Sequence, residues 1–493
     1  MNPAITAVRP GWLRRPTHAD LLFLAILVWC FAAGEGGWMR LLMDGDAGVH
    51  LRIGDWVLEN GRVPTHDLFG FSKPHGEWLA YEWLAGVIFS IAHSLAGLKG
   101  MVLLCGLVLA AVPAVIAMHA AWRGAQGWVV LLLTLVATNA LNIHFLARPH
   151  IFTLLLLGLV SWIVEADRRE HSSRLWLILP VVALWANLHG GFFILFPYFA
   201  VLTLESRRYA WLGAGAAVAA LANPYGWKLH AHVIEYLRSD WVIRFVDEFK
   251  SPSFRAEPML CFMLLLFAAL GCAGLWLTRK RYVDVLLVLM FSYLALTSVR
   301  HTTIFMVVII PLVAEEISRW LKAPLPEFDF RVMTPWTAAF ALFIAVVPGM
   351  AWPTQFPEDL FPVKLVDKHA ARLEQARVFT SDQWADYLIY RNYSPGVDGP
   401  RQQVFMDARH NYFGPKIGNE FIHLMNGLPD WKQIINRYRF DAMLLPPDTP
   451  LSALLAERPE WQVLDRDPRA VLWVKTAADR SPSASLAPAG SRR

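Results

Sequence analysis

Long apolar runs broken by short polar stretches dominate the first 352 residues, and the runs themselves, not a two-residue alternation, are the pattern. Met101 to Ala117, Trp128 to Ala140 and Met259 to Leu277 are almost free of charge. Continuous runs satisfy their backbone as helices in hydrocarbon, whereas a closed barrel would show alternating segments of about ten residues. The pattern predicts an all-α polytopic membrane protein. Basic residues fall in a subset of the breaks: Arg9, Arg14 and Arg15, then 165–174, 205–208, 278–281 and 317–331. By the positive-inside rule these are cytoplasmic, which also makes the first helix, Leu21 to Trp38, an uncleaved span and not a signal peptide.

Five apolar segments precede Glu165, yet two cytoplasmic ends require an even number of crossings. Tyr81 to Leu95 is short and carries Glu82 and His93, so it is expected to insert partly and stay near the outer face. Beyond it, spans near Leu175 to Leu188, Phe192 to Leu204, Tyr209 to Leu221, Met259, Val283, Thr303 and Trp336 bring the total to about eleven. The pair flanking Asn187 and His189 is short for a hydrocarbon core of about 30 Å, which suggests a break within the membrane.

After Trp352, prolines at 353, 357 and 362 introduce mixed polar sequence. Residues 353–476 read as a small extracytoplasmic α/β domain. Strands are expected at Val378 to Thr380, Gln403 to Met406 and Phe440 to Leu445, with helices at Asp382 to Tyr390, Lys416 to Met425 and Trp431 to Tyr438. A hairpin closes the domain through Asp467-Pro468-Arg469, and the Ser, Ala, Pro and Arg of 477–493 read as a disordered tail.

Composition narrows the function more by exclusion than by assertion. Apolar residues make up 56% of the 493, and the net charge is only +5. The basic residues are loop signatures, not a nucleic-acid patch. Cys30, Cys105, Cys261 and Cys272 lie in apolar stretches with no metal-ligand spacing and imply no disulfide framework.

Ionisable residues crowd the outer breaks. The first loop, 41–82, holds Asp44, Asp46, His50, Arg52, Asp67 and Glu82, and later outer breaks hold Arg148-Pro149-His150, Asn187-Leu188-His189-Gly190-Gly191, Asn223-Pro224-Tyr225-Gly226 and Arg300-His301. Charges against a bilayer cost several kcal/mol unless paired or hydrated, so such a gathering marks a site. Carboxylates at Asp44, Asp46 and Glu82 can take a proton from a hydroxyl. Arg52, Arg148 and Arg300, with His50, His150, His189 and His301, can hold a phosphate and stabilise its leaving charge. Each has a structural alternative: Asp44 or Asp46 as a helix cap, Glu82 paired with Arg52, the arginines snorkelling, His189 as a buried hydrogen-bonding residue. Trp12, Trp38, Trp56 and Trp241 read as interfacial anchors, with Trp78 or Trp83 open to sugar stacking, and Asp407 and Arg409 as a salt bridge fastening the soluble domain to the membrane core.

Asp44-Gly45-Asp46, His50-Leu51-Arg52, Gly54, Pro64, Asp67, Phe69 and Glu82-Trp83-Leu84 together resemble the first-loop signature of bacterial GT-C-type membrane glycosyltransferases. Arg148-Pro149-His150, Asn187-Leu188-His189-Gly190 and Asp407-Ala408-Arg409 extend the resemblance over most of the chain. It implies a polyprenyl-phosphate sugar donor, an extracytoplasmic active site in the bacterial inner membrane, and a first-loop acid, Asp44 or Asp46, as base. The expected reaction is hexosyl or pentosyl transfer to a glycolipid or other envelope acceptor, with inversion, among membrane lipids and without nucleic acid. Many enzymes of this type need no metal, and no cofactor is expected; a divalent ion on the two aspartates and His50 is the alternative the donor types allow. A transporter or flippase for a lipid-linked anion, or a non-catalytic assembly protein, are the competing functions.

Overall fold

The computed structural model describes residues 15–74, 76–171, 173–321, 328–393 and 403–476. The expected tail at 477–493, Arg9, Trp12 and Arg14 lie outside them. The chain divides into two units, 1–65 with 79–355, and 66–78 with 356–493. The division differs from the sequence expectation in one respect: His66–Trp78, the middle of the first loop, belongs with the C-terminal unit.

The first unit is helical. Its helices are α1 (His18–Leu27), α2 (Asp46–Asn60), α3 (Trp83–Trp122), α4 (Gly127–Leu141), α5 (His150–Glu170), α6 (Ile178–Leu188), α7 (Leu195–Leu202), α8 (Arg208–Ala219), α9 (Trp227–Arg238), α10 (Asp240–Phe245), α11 (Glu257–Thr278), α12 (Tyr282–Thr297), α13 (Arg300–Trp320) and α14 (Trp336–Val346). Among the described residues five helices are long and apolar enough to cross a membrane and five more apolar helices are shorter, against the eleven or so spans expected. Breaks account for the short ones. At His189 the backbone is extended (φ −167°, ψ 144°), which separates α6 from the tight turn Gly190–Ile194 that leads into α7. The first span ends at Ala32 instead of Trp38, because Gly36 and Gly37 adopt positive φ and turn the chain.

Tyr81 to Leu95 is helical from Trp83 and continuous with the next segment, except that Ala96 and Gly97 leave helical geometry, Gly97 at φ +61°. Its face is set by backbone contact with α2: a Cβ on Gly54 would lie 2.0 Å from the Gly86 carbonyl oxygen, and one on Gly86 would lie 2.5 Å from that of His50. Two glycines let these helices touch main chain to main chain. Trp38 and Trp56, expected at the interface, are buried instead, Trp38 stacked on Trp352 with ring centroids 4.5 Å apart.

The basic breaks also differ from the simple charge runs expected. Arg123 bridges Glu165 (2.5 Å) and Glu315 (2.7 Å), Arg168 reaches Glu165 and Asp284, and Arg279 binds Glu316 at 2.7 Å. The ends of α3, α5 and α13 and the start of α12 are fastened by buried ion pairs. Removing one partner of such a pair strands the other charge, at a cost of about 3–5 kcal/mol.

The second unit carries a four-stranded sheet in the order β1-β2-β4-β3, from β1 (Val378–Phe379), β2 (Ala442–Leu445), β3 (Trp461–Arg466) and β4 (Val471–Lys475). β1 and β2 are parallel and the β3–β4 hairpin is antiparallel, with Val471 opposite Leu445 and Arg466. The strand expected at Gln403 to Met406 reduces to bridges at Val404, one to Val378 and one to Gly70 of the inserted first-loop segment. The expected helices appear as Asp382–Arg391, His410–Met425 and Trp431–Tyr438; Pro450–Ala456 was not foreseen. Arg409 pairs with Asp407 and with Asp67 (2.6 Å), and lies over the Trp78 ring at 4.5 Å. This salt bridge lies within the second unit, where it holds the first-loop segment, and is not the tie from that unit to the helical one that the sequence suggested.

The glycine contact between α2 and α3 yields a test. Gly54→Ala should destabilise by about 1–3 kcal/mol, as overpacking against rigid backbone does, and lower the thermal midpoint in detergent. Gly271→Ala, where an added Cβ meets nothing within 4 Å, should not. Equal midpoints for the two variants would mean that the backbones do not meet there.

Candidate active site

Main-chain hydrogen bonds between sequence-distant loops build the site. Ala147 N–H donates to the Leu41 carbonyl (2.9 Å) and the Arg40 guanidinium to that of Asn142 (3.1 Å), which sets Arg148 beside Asp44 and Asp46. Val299 N–H donates to the Lys250 carbonyl and Ser298 Oγ–H to that of Glu248 (2.9 and 2.8 Å), binding the loop after α10 to the start of α13. Tyr225 of the Asn-Pro-Tyr-Gly break donates to the Pro64 carbonyl and accepts from Ala80 N–H, both at 2.8 Å. It thereby pins the chain on both sides of the first-loop segment that departs for the other unit. Trp83 Nε1–H donates to Asn187 Oδ1 (2.9 Å), joining the start of α3 to the end of α6.

Arg148 is the hub. Its Nη1 lies 3.0 Å from Asp44 Oδ2 and 2.5 Å from Glu248 Oε1, and its Nη2 lies 2.6 Å from Asp46 Oδ2. Three carboxylates from two loops thus enclose one guanidinium. Burial alone would weaken Arg148 as a cation, but the three acids outweigh it and hold the group firmly charged. Burial likewise pushes Glu248 upward, and Arg148 and Arg300 overcome that and hold it well below the usual range. Asp44 goes the other way: burial, aided by the Asp46 charge, raises it despite Arg148. Asp44 Oδ1 also accepts from Asp46 N–H (2.9 Å), a local turn just before α2, whose N-cap position is Gly45, so neither aspartate is the helix cap that the sequence offered as the alternative.

Glu82 sits apart from that hub, with Oε2 3.4 Å from His50 Nε2 and Oε1 3.4 Å from His189 Nε2. Its side chain is 15% exposed. Burial first, then the Asp46 charge, push its pKa up to about 8. Tyr81 is raised well above its ordinary value by burial and by Glu82, and Tyr236 is raised by burial against the opposing pull of Arg300, to which it is hydrogen-bonded. Both phenols therefore keep their protons. Arg300 lies over the Phe249 ring at 4.9 Å, and among the described residues no carboxylate comes within ion-pair distance of it.

The structure thus brings together Asp44, Asp46, Glu82, His50, Arg148 and His189, with Arg300 close enough to act electrostatically on Glu82 and Glu248. Arg52 is elsewhere. It pairs with Asp55 at 2.6 Å, three residues on along α2, and not with Glu82. His150 spends its Nε2 on the His144 carbonyl (2.7 Å), and His301 Nδ1 is buried without a hydrogen-bond partner among the described residues. Trp83 is held by Asn187 and Trp78 by Arg409. Sequence reasoning missed Glu248, Tyr81 and Tyr236; the Asp247-Glu248 pair in an outer loop was the available signal, of the same kind as Asp44 and Asp46. The aspartates close on Arg148 and His50 on Glu82, and among the described residues no three His, Cys, Asp or Glu side chains are placed to hold a metal ion.

No family model matches the sequence, and no curated protein matches it either. Among solved structures, the chain is similar to the archaeal oligosaccharyltransferase AglB from Archaeoglobus fulgidus, solved with an inhibitory peptide and a dolichol-phosphate. The TM-score is 0.54 at 9% identity, over 87% of this chain and 69% of that one. ArnT from Cupriavidus metallidurans gives a TM-score of 0.44 in the apo state (15% identity) and 0.44 bound to undecaprenyl phosphate (14%), each over 94% of this chain and 99% of that one. The likeness to AglB is one of fold: the chain shares the fold of that oligosaccharyltransferase.

Proposed function

We propose that this chain transfers a sugar, a hexose or pentose, from a polyprenyl-phosphate donor to a hydroxyl of a glycolipid or other envelope acceptor on the extracytoplasmic face of the bacterial inner membrane. The observation that carries this is the meeting, at one end of a GT-C bundle, of four carboxyl groups with two guanidiniums, one enclosed by acids and one not. AglB, with the same fold, binds dolichol-phosphate. The acceptor O–H gives its proton to a carboxylate, its oxygen bonds the anomeric carbon, and the carbon–phosphate oxygen bond breaks with its electron pair leaving on the phosphate. A single displacement of this kind inverts the anomeric centre. Glu82 suits the proton-accepting role, since a base works best with a pKa near the operating pH and its neighbours are imidazoles. Asp44, Asp46 and Glu248 hold Arg148, and Arg300 with its neutral phenols faces the departing phosphate. Charge at the opposite end does not favour a transporter, because Glu165, Glu315, Glu316 and Asp284 each meet an arginine.

The test is direct. Purified protein with a panel of polyprenyl-phosphate sugars and envelope glycolipids should give a transferred product by mass spectrometry. Glu82→Gln should lower turnover by roughly 10²- to 10⁴-fold, and Asp46→Asn should impair it as well. Retained anomeric configuration would reject the single displacement, and full activity in both variants would remove the site.

A second prediction concerns pH. If ionised Glu82 is the base, turnover should rise with pH and level off near 8, and Glu82→Gln should abolish that limb. Stability should run the other way. Folded Glu82 holds its proton more tightly than the unfolded chain, so its contribution is complete below about 4.5 and is lost as pH rises through 8. The slope is at most about 1.4 kcal/mol per pH unit. Glu82→Gln should flatten it, seen as a thermal midpoint that gains on wild type between pH 5 and 9. Parallel midpoints across that range would contradict the burial of this carboxyl.

A further inference from the structure

His189 interrupts the helical run between α6 and α7, and its ring caps the turn that follows: Gly191 N–H donates to Nδ1 at 2.9 Å. A backbone hydrogen cannot rotate away, so Nδ1 must present its lone pair. The ring proton therefore sits on Nε2. A second donor agrees. Trp185 Nε1–H, which can only donate, points at Thr153 Oγ1 (2.8 Å), leaving the threonine proton free to turn to His189 Nδ1, also at 2.8 Å. Trp185 and Thr153 are buried in apolar helices, where an unmade hydrogen bond costs about 1–3 kcal/mol. Space enforces the arrangement too: a Cβ on residue 191 would lie 2.5 Å from Thr153 Oγ1 and 2.8 Å from His189 Nδ1, so only glycine fits.

We infer that Thr153 and Gly191 are positioning residues that fix His189 as a neutral ring, protonated on the Nε2 that lies beside Glu82. A ring needed only as a cap would use Nδ1 and leave Nε2 to chance; here Nε2 lies 3.4 Å from Glu82 Oε1. With Nδ1 occupied by two donors and Nε2 already protonated, His189 takes up no proton during the reaction. It holds the carboxyl in place and favours its ionised form, and the proton of the acceptor hydroxyl ends on Glu82. This inference rests on the proposed reading of Glu82 as proton acceptor, but the ring's tautomer is measurable without any reaction.

The experiment combines a spectrum with a variant series. Full-length protein carrying ¹⁵N-histidine, in liposomes, is examined by magic-angle-spinning NMR, with His189→Gln identifying the His189 resonances by their loss. The expected spectrum at neutral pH shows one protonated and one bare ring nitrogen, the bare one being Nδ1. Thr153→Val should lower turnover about tenfold, the worth of one hydrogen bond, with KM unchanged, and Thr153→Ser should restore it. His189→Gln, which keeps an N–H donor, should retain more turnover than His189→Leu. A ring protonated at Nδ1 or at both nitrogens would overturn the inference, as would a Thr153→Val enzyme with wild-type turnover. Absence of transfer by the wild type would instead strike the proposed function and leave the spectrum to decide the tautomer.

Discussion

Arg148 is the constraint from which the rest of the site follows. A guanidinium at this depth must be matched, and three acids match it: Asp44 and Asp46 from just before and at the start of α2, and Glu248 from the loop before α11. These part-buried ion pairs hold the loops in register by electrostatics as well as by main-chain bonds. Four carboxyl groups share the site with two arginines, and Glu82, which makes no ion pair with an arginine, has its proton affinity raised to about 8. The acids' charge matches Arg148, whereas burial first and the Asp46 charge second tune Glu82.

Getting these groups together depends on contacts with no chemistry of their own. The Gly54–Gly86 contact lets α2 and α3 approach until His50 and Glu82 face each other. The Ala147–Leu41 and Val299–Lys250 hydrogen bonds tie three loops to helix ends. Tyr225 pins Pro64 and Ala80, on either side of the 66–78 segment that belongs to the second unit, and Ala80 lies two residues before Glu82. A rigid setting of this sort is what acid–base chemistry requires, since a misplacement of about 1 Å can cost 10² in rate.

Much of this was legible in the chain because the bilayer imposes strong rules. Apolar runs marked the helices, and Asp44, Asp46, Glu82, Arg148 and His189 stood out as ionisable residues beside helix breaks. Arg52 looked equivalent by the same rule, but three-residue spacing on α2 gave it Asp55, a local partner that outcompetes distant ones. Glu248 went unnoticed because an acid pair in a polar loop carries no signal until the fold turns it onto Arg148. The exchange of 66–78 into the second unit was invisible for a related reason: Asp67 and Arg409 are far apart in sequence, and nothing local to either names the other. Gln403 to Met406 was read as a strand from its apolar character, yet only Val404 finds bridging partners, so burial without a ladder was taken for pairing.

Both ends of the bundle are charged, and the difference between them argues for chemistry at one end only. At the end formed by Arg123, Glu165, Arg168, Glu315 and Glu316, acids and arginines are matched one against another and the result is a fastening. At the Arg148 end the matching is uneven. Acids outnumber guanidiniums around Arg148, whereas Arg300 meets phenols and an aromatic face instead of a carboxylate. An anion approaching this end is repelled from the Arg148 side and drawn to the Arg300 side, while a neutral hydroxyl is welcome beside the acids. In the proposed reaction, separation of that kind would orient a donor phosphate and an acceptor alcohol toward each other before any bond changes, and orientation of two reactants is the larger part of what a single displacement asks of a protein.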